Sequence, residues 1–504
     1  MWLALDAAIA MPVSLALSVL VARSIGPDVL GVYNLANWIL GAGIVVVTNG
    51  VTYGMQLYTA EKLGKGDLAG AMAVLAHGLR WQLALATVLV STGTVLTLAL
   101  SPPPFRAALL LAVLSVAPAI LVSVPAAGLG AAQAFSANVV SSIAAVLVNL
   151  AVAVVALSAG WGLVGVTSAL LLSRLVDAGG RYLAWRRVLA ALKAEPRGRA
   201  EPHDESLDAP KMRKFALNAS VLLLVEMLVW DRAEFLVLTR FSPLRDLAFY
   251  SLSFNIAQQI LIPSRLLSKA LAANLLVERG RNPEGVARLS RDGMRYVFLL
   301  AAPSTLGLAS LDRALMPLLY GSNYVSAVPV LTVVATFAVV RGALLPVQSF
   351  MYMTEQQVLL VRFSIVQGCV NLALALWLIP SHGAIGAAWA NGVTQALATT
   401  GLTIFASRRL GLPAPLADMV RILLACAPMV IIVRWLAASM PPWPAVIVGV
   451  PAGAIVYLVG LKLTRVLTPV DRVRLQSVDA SLPAAMRPLF RRLRSWLVPL
   501  RASS

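Results

Sequence analysis

The chain is organised by a succession of apolar runs, each long enough or nearly long enough to cross a membrane and separated from the next by Gly, Pro or charge. Fourteen can be marked: 2–22, 30–58, 70–100, 107–131, 136–158, 162–185, 215–239, 246–276, 293–311, 325–350, 357–379, 383–406, 416–437 and 443–463. A helix needs about 20 apolar residues to cross a hydrocarbon layer of roughly 30 Å. The expectation is therefore an all-α polytopic membrane protein with about fourteen transmembrane helices. Composition agrees: 59% of the 504 residues are apolar and 12% charged, against about 25% charged in soluble domains. The stretch from Met1 to Val21 lacks a basic lead and a small-residue cleavage site, so it reads as a retained first helix.

The net charge of +19 would suit nucleic acid, but the basic residues gather in loops and the tail, where positive-inside sorting accounts for them. Nucleic acid is therefore not an expected partner. One side of the chain collects Lys62, Lys65, the 186–214 segment, Arg279, Arg281, Arg288, Arg291, Arg408, Arg409 and the tail. That asymmetry puts both termini in the cytoplasm. Cys369 and Cys426 fall within apolar runs and read as small core residues without a disulfide.

A second pattern is an internal repeat. Arg23, Tyr33, Glu61 and Asp67 recur, at one constant offset, as Arg240, Tyr250, Glu278 and Glu284, and Gly78 and Arg80 recur as Gly293 and Arg295 after a small deletion. Pro125, Asn149, Gly162 and Gly165 recur in the same order, after a small insertion, as Pro346, Asn371, Gly383 and Gly386. Collinear matches over such a length mean a duplicated unit. Each copy holds six spans, an even number, so the halves share one orientation about an axis along the membrane normal. The domain reading is an N-lobe over 1–185, a cytoplasmic linker over 186–214, a C-lobe over 215–410, two extra helices over 411–465 and a basic tail over 466–504. A central cleft between the two six-helix lobes is expected.

The seventh span carries Glu226, Asp231, Arg232 and Glu234 between Lys214 and Arg240. Each charge costs roughly 2.5–3.5 kcal/mol at a helix centre facing lipid, so this helix must turn a polar face to a cavity. In the tail, Thr468-Pro-Val-Asp471 fits a helix start. From Leu482 to Leu500 apolar residues recur every three or four positions, with Arg487, Arg491 and Arg494 between them. The expectation is an interfacial helix, beginning near Pro488, on an anionic leaflet.

At RSIGPDVLGVYNLA (Arg23 to Ala36), at LMPLLYGSNYVSAVPVL and at NLALALWLIPSHGAIGAAWA (Asn371 to Ala390), the chain resembles Wzx-type polysaccharide flippases. These belong to the multidrug/oligosaccharidyl-lipid/polysaccharide exporter superfamily, with lipid II flippases and MATE antiporters. In the second copy Ser242-Pro243 replaces the Gly-Pro turn, and the first helix lacks the family's usual polar lead-in. The resemblance implies two six-helix bundles with a cleft opening alternately to either side. It also implies an undecaprenyl-diphosphate-linked oligosaccharide as cargo, a bacterial cytoplasmic membrane, and other polysaccharide-assembly proteins as partners.

Such cargo asks for cations at the diphosphate and a wet cavity for the glycan. On the eighth span, Gln258, Ile262, Arg265 and Lys269 follow helical spacing, so both cations share a face. Arg suits bidentate phosphate contact and Lys acts as a point charge; the alternative is that both snorkel at the cytoplasmic interface. In the second span of the first copy, Asn49 takes the level equivalent to these cations, with Asn37, Thr52 and Gln56 near it, and Arg341 is a further cavity candidate. Arg174 and Asp177 are expected to pair at i, i+3, and Arg23 and Arg240 to snorkel at outer helix ends.

By analogy with the lipid II flippases' sodium site, Asp231, Asn371 and Thr394 are ion-coupling candidates, with Glu226 and Glu234 as substitutes. Ala375 stands where that pattern has a second acid, so a proton carried by a buried carboxylate competes with Na+. No other cofactor is expected. His77, His203 and His382 are dispersed, and no metal spacing, nucleophile elbow or phosphate loop occurs. A cation-coupled drug exporter and a membrane glycan polymerase or ligase are the rival readings. The first would favour an acidic cavity, and the second a sizeable outward loop.

Overall fold

The computed structural model describes residues 2–194, 234–281, 283–353, 357–467, 471, 476 and 487–497. All regular elements among these are helical. Nine described helices are long and apolar enough to cross a membrane, or ten if one bent pair counts as a single span. Two of the nine each contain a sharp kink. The chain forms two compact units, Met1–Ala248 and Phe249–Ser504.

The first unit opens with α1 (Trp2–Gly64), whose two arms meet at Gly26 with φ +75°. A left-handed residue followed by Pro27 breaks the helix where the expected first and second spans part. Asp67 caps α2 (Leu68–Leu100) by accepting from the Gly70 N–H at 2.7 Å. The expected fourth span is three pieces, α3 (Pro103–Leu114), α4 (Val116–Leu121) and α5 (Ser123–Ala131). Pro118 and Pro125 each clash with the carbonyl four residues back. Those carbonyls, of Leu114 and Leu121, are where α3 and α4 end. Next come α6 (Phe135–Ser158) and α7 (Gly162–Ala194), which continues past Tyr182 into the charged stretch read as linker. The seventh expected span lies mostly outside the described residues; its end is α8 (Glu234–Phe241).

The eighth expected span is α9 (Leu244–Ile260) and α10 (Ile262–Arg281), interrupted at Leu261 beside Pro263. After α11 (Pro283–Ser310) the chain bends by 72° into α12 (Asp312–Tyr320). The Leu-Tyr-Gly motif is the turn that ends α12: Gly321 has φ +94°, and Tyr320 and Tyr324 are buried and tilted against each other. Then follow α13 (Val328–Met353) and α14 (Gln357–Arg409), a hairpin about Gly383, φ +53°. Two further helices, α15 (Leu416–Ser439) and α16 (Pro442–Thr464), pack on α11 through Ile422, Cys426, Met429 and Tyr457. The Tyr457 hydroxyl donates to the Leu299 carbonyl at 2.8 Å. The last element is α17 (Arg487–Leu497), in the expected amphipathic tail.

The repeat is visible in backbone geometry. Gly162 has φ +52° and Gly383 φ +53°; both open a helix after a reversal. One turn later, a Cβ on Gly165 would meet that of Ala156 at 2.7 Å, and one on Gly386 would overlap the Leu378 carbonyl. Ala156 and Leu378 are themselves equivalent positions of the repeat, at the same offset as Asn149 and Asn371. Both copies thus close the same hairpin by removing a side chain at the same place.

Candidate functional site

Within the second unit, three helices converge on a narrow, mainly apolar pocket that also holds a few polar side chains. Phe254, Gln258 and Leu261 come from α9 and its end, Phe337 and Arg341 from α13, and Asn391, Gly392 and Gln395 from the second arm of α14. On each helix the lining residues repeat at three or four positions, so each contributes one face. The pocket spans about 310 Å³, part of it open to solvent. Its interior has room for ordered water.

The walls have an evident physical basis. Gly392 lets the Phe337 ring lie against the helix backbone, since any Cβ there would overlap the ring. Phe337 in turn meets Trp389 edge-on at 5.3 Å. Gln395 Nε2 donates to Asn391 Oδ1 at 2.6 Å, which fixes both amides. Gln258 Oε1 is buried with no hydrogen-bond partner among the described residues, and a buried amide oxygen left so asks for a ligand or water. Arg341 is the only ionisable side chain in the described lining. The pocket therefore offers one guanidinium and three amides.

Of the residues singled out in the sequence, Gln258 and Arg341 meet in this pocket. Arg265 and Lys269 do not line it: they follow on α10, Arg265 half-buried and Lys269 exposed. Asn49 lies on α1 with its side chain outside the described set. Glu226 and Asp231 lie outside the described residues. Glu234, at the start of α8, is fully buried in the first unit. Asn371 and Thr394 are buried on the two arms of the α14 hairpin, about equally far along the chain from Gly383. Thr394 Oγ1 has no hydrogen-bond partner among the described residues. Both side chains carry neutral oxygens, and among the described residues no cluster of three His, Cys, Asp or Glu is placed to hold a metal.

Two features differ from expectation. Asp177 makes its ion pair with Arg181 at 2.8 Å, not with Arg174; the i, i+4 order with the acid first is the favourable one on a helix. Asn391 and Gln395 were not singled out, although an i, i+4 amide pair beside Thr394 in an Ala-rich span was the available signal.

The family model described as polysaccharide biosynthesis protein matches residues 20–329, more than half of the chain. The chain belongs to that family. Comparison with curated proteins gives no sequence match. Among solved structures, the lipid II flippase MurJ in an inward closed conformation superposes with a TM-score of 0.72 at 13% identity, covering 91% of this chain and 98% of that one. An inward-facing multidrug resistance MATE family transporter of the MOP superfamily gives 0.65 at 16% identity, covering 80% and 95%. The fold of this family member is thus that of multi-pass membrane transporters.

Proposed function

We propose that this protein is a flippase that carries an undecaprenyl-diphosphate-linked oligosaccharide from the inner to the outer leaflet of a bacterial cytoplasmic membrane by alternating access, with both termini cytoplasmic. The observation that carries the reading is the pocket chemistry: Arg341 is accompanied by Gln258, Asn391 and Gln395, without a lining carboxylate among the described residues. A hydroxyl-rich, anionic cargo finds donors and acceptors there. The family's place in polysaccharide biosynthesis supports the same cargo class.

In this reading Arg265 and Lys269 on α10 meet the diphosphate. Coupling to Na+ or to a proton would draw on Glu234, Asn371 and Thr394, with Glu226 and Asp231 as further acids. A charge-assisted contact contributes about 1.5–3 kcal/mol, so losing one should weaken cargo binding roughly tenfold or more. The test is flipping of lipid-linked oligosaccharide in reconstituted vesicles, normalised to folded protein. The wild type should flip it, and Arg265→Ala with Lys269→Ala should not. Absence of flipping by the wild type alongside export of a cationic dye would overturn the proposal in favour of drug efflux.

A further inference from the structure

We propose that the α1 face formed by Gly31, Asn34 and Trp38 is a sugar-contact surface, covered in this conformation and bared to the glycan when α8 and the start of α9 move off it. The inference rests on the flippase reading and adds to it the part of the first copy that meets the cargo's sugars. Its first support is unmet hydrogen bonding. Asn34 Nδ2 and Trp38 Nε1 are buried without a hydrogen-bond partner among the described residues, and Trp38 as a whole is only 8% exposed. A buried indole N–H usually finds an acceptor, and a buried donor left without one calls for a reason. Elsewhere on α1 the polar side chains Ser24, Thr48 and Thr52 each donate to the carbonyl four residues back, at 2.8, 2.7 and 2.6 Å. The two unmet donors are therefore a local feature of this face.

Placement is the second support. Gly31, Asn34 and Trp38 fall within about 60° of one another around the helix, and Trp38 stands about 18 Å along the arm that starts at Gly26, well inside the span. What covers them comes from the second copy of the repeat. A Cβ on Gly31 would overlap the Leu244 carbonyl oxygen, and the Phe235 ring lies 5.7 Å from that of Trp38, tilted by 47°. Neither contact gives the two N–H groups an acceptor. Alternating access parts the two copies once in each cycle, and the donors then become available. The third support is chemistry. An indole offers an apolar face to the C–H side of a sugar ring and an N–H to a hydroxyl, and the Asn34 amide both donates and accepts. Gly31 adds no side chain, so a ring can come close to the backbone. The face carries no charge, which suits hydroxyls and leaves the diphosphate to cations elsewhere.

The experiment uses the full chain with two readouts, the unfolding midpoint in detergent and the flipping of lipid-linked oligosaccharide in vesicles, normalised to folded protein. Asn34→Leu removes a donor that is unmet in the covered state, so it should hold or raise the midpoint while cutting flipping severalfold. Trp38→Phe keeps an aromatic face without the N–H and should cut flipping less than Trp38→Leu does. A side chain that served packing alone would lose midpoint and flipping together. A lowered midpoint for Asn34→Leu would therefore overturn the assignment, as would wild-type flipping by that variant. Contact is read directly with Trp38→benzoylphenylalanine and lipid-linked oligosaccharide radiolabelled in its sugars: illumination under transport conditions should join the label to the protein. The two readings fail separately. No labelled protein while the wild type flips its cargo would defeat only this inference, and labelled protein alongside a wild type that flips nothing would defeat only the flippase reading.

Discussion

Arg295 Nη2 donates to Asp471 Oδ1 at 2.5 Å, with both side chains almost wholly buried at 7% and 1% exposure. The Tyr296 hydroxyl donates to the same oxygen. Arg295 is the repeat partner of Arg80, which is exposed. The difference is that Asp471 belongs to the C-terminal extension, which has no counterpart in the first copy. The extension therefore braces α11 in addition to any role at the membrane surface. Removing one partner of a buried pair costs about 3–5 kcal/mol, because the other charge is left uncompensated. Asp471→Ala should lower the unfolding midpoint clearly. Deleting Ser481–Ser504 keeps Asp471 and should cost much less than deleting Thr468–Ser504. Equal midpoints for the two deletions would show that the pair is not what holds the extension.

Two hairpin glycines and Gly179 inside α7 make a graded series. Gly383 needs a left-handed backbone, which costs a residue bearing a Cβ about 1–2 kcal/mol. At Gly386 the obstacle is the Leu378 carbonyl, and at Gly179 nothing lies within 4 Å of a Cβ. Folded yield should fall in the order Gly179→Ala, Gly383→Ala, Gly386→Val, with the first near wild type. Measuring monodisperse protein after detergent extraction checks the order.

How much of this was legible beforehand depends on how far apart in sequence each interaction reaches. Apolar runs and collinear Gly and Pro positions were enough for helices, the repeat and the Gly162 and Gly383 reversals, because these are set by near neighbours in the chain. Gln258 and Arg341 stood out singly as polar groups in apolar helices. Their convergence with Asn391 and Gln395 was not readable, since it depends on how three helices pack, and periodicity reports only a face. The same holds for Arg295 and Asp471, 176 residues apart. The breaks at Leu114 and Leu121 were readable in principle from Pro118 and Pro125, but hydropathy alone smooths over them.

Gly31 marks a close approach in the first unit. A Cβ there would overlap the Leu244 carbonyl oxygen at the start of α9, and nearby Trp38 packs on Phe235 at 5.7 Å. Gly31→Val must push the two backbones apart and should reduce transport per folded molecule severalfold. By contrast, Gly64→Val, with nothing within 4 Å of its Cβ, should behave as wild type. Normal transport by Gly31→Val would mean that the approach is not needed in the cycle.

The proposed topology, with the loops richer in Lys and Arg in the cytoplasm, puts Pro103, Ser381 and Pro442 on the outer side and Arg199 and Ser504 inside. Reporter fusions at these five positions should give that pattern in cells. An exported reporter at Arg199 would overturn the topology.

The last prediction concerns α17. Lys462, at the end of α16, lies over the Trp496 ring at 4.2 Å, a cation–π contact worth about 0.5–1 kcal/mol at an exposed site. It fastens the short helix to the end of a span, where headgroups are expected. The helix carries Arg487, Arg491, Arg492 and Arg494, and each basic residue near an anionic surface contributes about 1 kcal/mol. Full-length protein in nanodiscs should therefore unfold at a higher temperature when phosphatidylglycerol is present than in phosphatidylcholine alone. Arg491→Gln, Arg492→Gln and Arg494→Gln together should remove most of that difference, and added salt should shrink it in the wild type, because surface attraction is screened within a Debye length of about 8–10 Å. Trp496→Ala should weaken it while leaving the charges in place, since the helix would no longer be held at the end of α16. A wild-type midpoint indifferent to phosphatidylglycerol would refute the interfacial role of α17, and a lipid effect untouched by the triple substitution would move it to the α11 cations Arg288 and Arg291.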